Sequence, residues 1–122
     1  MKYLLVVGSR SFRNYTLLEE KLNNEIGSRK DITIVSGGAN GADALAKEYA
    51  KLKKIKYVEF PAKWNEYGKS AGYRRNEEMH KFISEHEERK VIAFWDGQSK
   101  GTQHNFGLAD KYKNEIEIIR CY

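Results

Sequence analysis

The chain has 122 residues, 40% apolar and 32% charged, with 22 basic against 17 acidic side chains and a net charge of +5. That length predicts one domain, residues 1–122, with a core large enough to stand without disulfides or a structural metal. A single cysteine, Cys121, excludes a disulfide framework and a cysteine-rich zinc site, and no apolar run reaches bilayer-spanning length.

Residues 3–7, Tyr-Leu-Leu-Val-Val, form a continuous aliphatic run of the kind a strand shows when both its faces are covered. The run is too short for a signal peptide and ends in Gly8-Ser9-Arg10 with no cleavage site, so a cytoplasmic location is expected. Residues 14–26 read as a helix with Leu18, Leu22 and Ile26 in register, and 32–35 as a second strand. Residues 40–52 match the helical stripe best, through Ala42, Leu45, Ala46, Tyr49 and Ala50. The lysines on and after that helix, Lys47, Lys51, Lys53, Lys54 and Lys56, read as a solvated face. A third strand covers 55–60 and stops at Pro61, and 62–70 reads as a loop. A helix over 72–86 turns Met79, Phe82 and Ile83 inward. A fourth strand (91–95), a helix (102–113) and a fifth strand (116–119) complete the pattern. Strict alternation predicts a three-layer α/β domain, Rossmann-like, with a five-stranded parallel sheet in the order 3-2-1-4-5; a flavodoxin-like order is the alternative.

Small and polar residues gather after strands one, two and four. These are Gly8-Ser9-Arg10, then Ser36-Gly37-Gly38-Ala39-Asn40-Gly41-Ala42-Asp43, then Asp96-Gly97-Gln98-Ser99-Lys100-Gly101-Thr102. In a parallel sheet all three lie at the carboxyl edge, where helix N-termini offer unpaired N–H groups to an anion. Backbone amides of 37–40 and 100–102 are therefore expected to hold phosphate, with Arg10 and Lys100 adding charge. Asp43, one turn into its helix, is a partner for ribose, for Arg75 or for the helix dipole. A second cluster begins at Trp64. Arg75 and Asn76 precede Met79 by four and three residues, which places them on the buried face of the helix's first turn. Buried there, they either tie down neighbouring loops or reach a ligand. Arg74 points elsewhere, to solvent. Trp64 and Tyr67 are candidates for stacking on a base or for packing over the helix end.

No G-x-G-x-x-G follows strand one, and neither G-x-x-x-x-G-K-[ST] nor G-x-S-x-G occurs. Dehydrogenase-type NAD binding, P-loop NTPases and nucleophile-elbow hydrolases are thereby disfavoured. His80, His86 and His104 lack metal-ligand spacing, so no metal is expected.

Taken in order, Gly8-Ser9-Arg10, Ser36 to Asp43, Trp64 with Ala71-Gly72 and Arg75-Asn76-x-x-Met79, and Phe94 to Thr102 resemble the SLOG superfamily, most closely its YspA-like, YpsA-related branch of bacteria and phages. The resemblance covers essentially the whole chain. It implies a nucleotide or nucleotide-derived ligand at the carboxyl edge, no required cofactor, no membrane, and a homo-oligomer. The preferred expectation is a module that senses or sequesters an ADP-ribose derivative or a nucleoside monophosphate. Two alternatives accompany it. LOG-type phosphoribohydrolases in this superfamily carry P-G-G-x-G-T-x-x-E; Gly101-Thr102 match, but Asn105 stands where their catalytic Glu would be. An N-glycosidase here would need Asp43, Asp96 or Glu66 as its acid or base. The DNA-processing protein DprA shares G-S-R and S-G-G-A-x-G-x-D, which makes single-stranded DNA the other possible ligand.

Overall fold

The computed structural model describes residues 1–121. The N-terminal aliphatic run becomes β1 (Lys2–Gly8), the middle strand of the sheet. Leu4 and Val6 face one layer while Leu5 and Val7 face the other, as the two-residue period of a strand requires. β2 (Ile32–Ser36) lies on one side of β1 and β4 (Arg89–Trp95) on the other. β3 (Lys56–Glu59) extends the sheet beyond β2, and β5 (Ile116–Arg120) extends it beyond β4. All pairings are parallel and the order is 3-2-1-4-5, a Rossmann-like sheet. The order in which strands are added reverses between β1 and β4, which opens a crevice at their carboxyl ends.

Helices α1 (Tyr15–Ile26) and α2 (Ala42–Lys53) cover the face that carries Leu4, Val6, Ile92 and Phe94. Helices α4 (Ala71–Ser84) and α5 (Lys100–Lys111) cover the face that carries Leu5, Val7, Val91 and Ala93. Each fully buried aliphatic side chain in these layers contributes about 1.5–3 kcal/mol of hydrophobic stabilisation. Asn14 caps α1 by accepting the Leu17 N–H at 3.0 Å, and Ser99 caps α5 by accepting the Thr102 N–H at 3.3 Å.

Several boundaries depart from the periodicity, among them the start of α2 at Ala42 rather than Asn40, the start of β4 at Arg89 rather than Val91 and the end of α5 at Lys111 rather than Lys113. The segment 62–70, read as a loop, contains a short helix α3 (Trp64–Tyr67) and a 3-10 turn (Gly68–Ser70). Helix α5 starts at Lys100, two residues earlier than its apolar stripe suggests, because its cap is Ser99. Helix α4 stops at Ser84 rather than His86. The lysines of α2 and its exit are exposed, as expected of a solvated face. Among the described residues no helix is long and apolar enough to cross a membrane.

Candidate functional site

Strands β1, β2 and β4 deliver their following loops to one place. A cavity of about 500 Å³ opens there, within the range usual for small-molecule sites. Gly8 and Arg10 line it from the β1 loop, Ala39 and Asp43 from the β2 loop, and Asp96, Ser99, Gly101 and Thr102 from the β4 loop and the start of α5. Trp64, Arg75 and Asn76 close the remaining side from α3 and α4.

The β2 loop is held rigidly from two directions. Gly41, at φ 82°, bends the chain so closely past the Ser9 carbonyl that a β-carbon would collide with it. Asp43 then folds back and accepts the Gly37 N–H at 3.1 Å and the Ala39 N–H at 3.4 Å. From α4, Arg75 Nη1 donates to the Gly37 carbonyl at 2.9 Å. Its guanidinium lies where a side chain at position 37 would stand. Below, Ser36 Oγ and the Tyr57 hydroxyl are 2.6 Å apart, and Tyr57 donates to Glu59 at 3.0 Å. The amides of Gly37 and Ala39 are thus already occupied by a carboxylate of the protein itself.

The β4 loop is organised by Asp96. Its Oδ1 accepts the Gln98 N–H at 2.9 Å and the Ser99 N–H at 2.7 Å, and its own N–H donates to Ser9 Oγ at 3.1 Å. Trp95 Nε1 donates to the Ser99 carbonyl at 3.0 Å. The first free helix amides, those of Lys100 and Gly101, have no partner among the described residues. Asn76 joins the two sides: its Oδ1 accepts from Arg75 Nε at 3.0 Å, and its Nδ2 reaches the Gly101 carbonyl at 3.4 Å.

The electrostatics follow from burial. Burial pushes the Asp43 carboxyl up from 3.8 to about 6, against the pull of Arg75 and the two amides. Burial also lowers the Arg75 pKa; Asp43 opposes that fall and the nearby charge of Arg10 adds to it. The Ser99 and Gln98 N–H groups hold Asp96 below its ordinary value. Two guanidiniums that repel each other therefore face one cavity, and the buried carboxylate between the loops answers only one of them.

The remaining candidates from the sequence fall outside this cavity. Gly37, Gly38 and Asn40 line an adjoining hollow of about 390 Å³, which shares Arg10, Ala39, Trp64 and Arg75 with the first. Ser9 is buried and serves the β4 loop, and Ser36 is buried beneath the β2 loop. Lys100 is exposed and lines none of the cavities. Tyr67 is covered by the Arg74 guanidinium, 4.3 Å from its ring centre, and Glu66 is exposed on α3 away from the cavity. Trp64 packs its ring edge against Gly72 and receives Arg10 over its face at 5.9 Å.

Sequence reasoning gave no binding role to Lys69, Tyr73 or Asn105, which also line the cavity. Asn105 accepts from His80 Nε2 at 3.1 Å and donates to the Gly101 carbonyl at 3.2 Å. His80 is fully buried, accepts at Nδ1 from Asn114 Nδ2 at 3.2 Å, and is neutral, because burial lowers its pKa from 6.5 to about 4. The i, i+4 spacing of Asn76 and His80 on α4 was the available signal for a polar seam facing α5.

Comparison with known proteins agrees with this fold. The Gene 61 protein of Mycobacterium phage D29 is 32% identical over 117 residues, covering 91% of this chain and 90% of that protein. A solved structure describing the single-stranded DNA binding mode of DNA processing protein A from Helicobacter pylori superposes with a TM-score of 0.68. That match is 22% identical and covers 99% of this chain but 66% of the other, so it speaks to the fold. A family model matches residues 3–67, from β1 through the glycine-bearing β2 loop to α3. The chain belongs to the YspA, cpYpsA-related SLOG family.

Proposed function

We propose that the principal cavity binds a nucleotide or nucleotide-derived ligand, such as a nucleoside monophosphate or an ADP-ribose derivative, for sensing or sequestration. The observation that carries this reading is the convergence of Arg10 and Arg75 on one cavity whose far wall is the open start of α5. An anion between the two guanidiniums relieves their repulsion, and the Gly101 N–H adds a donor. This reading moves the phosphate from the β2-loop amides, which Asp43 occupies, to the space between Arg10, Arg75 and α5. Asp96 stays ionised and offers an acceptor to sugar hydroxyls.

Isothermal titration with the four nucleoside monophosphates tests the reading. Arg10 is exposed, so Arg10→Ala is expected to fold normally and to lose roughly tenfold or more in affinity, the effect of one charged hydrogen bond. Unchanged affinity in that variant would place the phosphate elsewhere.

Two further readings are set against it. For single-stranded DNA, the support is the cavity rim, where Lys69, Trp64 and Tyr73 are all exposed. For N-glycosidic hydrolysis, the support is Asp43, which lines the cavity with a carboxyl that titrates near neutrality. Release of free base from a monophosphate, abolished in Asp43→Asn, separates hydrolysis from binding.

A further inference from the structure

A second cavity, of about 430 Å³, lies at the same edge of the sheet, on the α1 side of the β1–β4 crevice. Its walls are Phe12, Leu17, Phe94 and Cys121, on the side covered by α1. Ser11 and Asp96 line both cavities, so the two meet along one ridge above the β1–β4 crevice. The ridge is firm, because Ser9 Oγ, itself buried, accepts the Asp96 N–H there. Phe12 and Phe94 pack with ring centres 4.9 Å apart and planes tilted by 31°, and form the apolar base of this cavity.

The charges of the two cavities differ. The first presents Arg10, Lys69 and Arg75. The second presents one cation among its described lining residues, Arg13. That guanidinium already donates to the Arg10 and Phe12 carbonyls, at 2.6 and 3.0 Å. The second cavity therefore suits an uncharged ring with its sugar rather than another phosphate. In open α/β sheets a ligand that straddles the switch point places its linking anion at the crest and a ring on each side.

We propose that this second cavity takes the second nucleoside of a dinucleotide whose first nucleoside and phosphate occupy the principal cavity. The inference rests on the nucleotide reading above and narrows its ligand class to two nucleosides joined through phosphate.

The test compares AMP with diadenosine diphosphate, which carry similar charge, by isothermal titration against the whole chain. Diadenosine diphosphate is expected to bind on the order of tenfold tighter, the usual effect of one stacked base. Leu17→Trp and Cys121→Phe fill the second cavity from different walls. Each is expected to bring diadenosine diphosphate down to the affinity of AMP while AMP binding holds. Cys121 is the only thiol of the chain, so its alkylation, read by intact mass, gives an independent measure. Diadenosine diphosphate is expected to slow that reaction and AMP to leave it unchanged. If AMP binds but diadenosine diphosphate binds no tighter and does not protect Cys121, the second subsite is overturned and the nucleotide reading stands. If no mononucleotide and no dinucleotide binds, both fall together.

Discussion

Asp43 and His80 titrate over the same range with opposite consequences. The folded Asp43 pKa, about 6, lies above the ordinary 3.8. Its stabilising contribution is therefore complete below about pH 4 and disappears as pH rises through 6. The folded His80 pKa, about 4, lies below the ordinary 6.5. Its contribution is present above 6.5 and disappears as pH falls toward 4. The two slopes oppose each other, and chemical denaturation of the wild type between pH 4 and 6.5 is expected to vary little on their account. Asp43→Asn removes one of them. Relative to that variant, the wild type is expected to lose up to roughly 3 kcal/mol as pH rises from 4 to 6. A difference that does not change with pH would mean that Asp43 ionises normally in the fold. The sequence showed Asp43 in a first helical turn, where a dipole partner is common, but not its amide partners, which depend on how Gly41 turns the loop.

At the level of elements, apolar period located the major helices and strands, while their ends were set by caps that carry no period. Helix α5 is the clearest case: Ser99 caps it two residues ahead of the predicted start, and the Asp96 turn supports that cap from outside. Ser99→Ala is expected to cost about 1 kcal/mol in urea unfolding, with faster amide exchange at the beginning of α5. An unchanged unfolding midpoint would mean that the Asp96 turn alone holds the helix start. The short α3 was illegible for a different reason. Trp64–Tyr67 is too brief to show a stripe, and what surrounds it is tertiary, with Trp64 against Gly72, Arg10 over Trp64 and Arg74 over Tyr67. Arg75 and Asn76 were placed correctly on the inner face by their spacing to Met79. Of the two alternatives open at that point the structure shows the tethering, since the two residues tie down the β2 and β4 loops; they also line the cavity proposed to take the ligand.

For the whole molecule, strict alternation of strands and helices predicted a parallel sheet and so put the three small-residue loops at one edge, while two strand orders stayed open until the sheet showed 3-2-1-4-5. The second cavity was not legible, because Phe12 and Leu17, Phe94, and Cys121 come from three separated stretches that no periodicity connects. The charge of +5 serves two ligand classes that differ in salt response. A mononucleotide engages few cations, so its affinity is expected to fall modestly between 50 and 200 mM salt. Single-stranded DNA along the rim is expected to show a steep logarithmic decline, about 0.7 per phosphate contacted. Gel shifts with an oligonucleotide at the two concentrations measure this, and no shift at the lower one sets the DNA reading aside.

The pairing of β1 with β4 has a temporal side. On the ribosome, β1 emerges more than eighty residues before the strand that completes its other flank; the tethers Arg75 and Asn76 come shortly before that strand and Asn105 after it. Residues 3–67, the part the family model matches, supply the glycine turn but neither the α4 clamp nor the far wall. A nascent chain halted at residue 67 therefore has no crevice to fill, and ligand capture begins only once translation has passed α5.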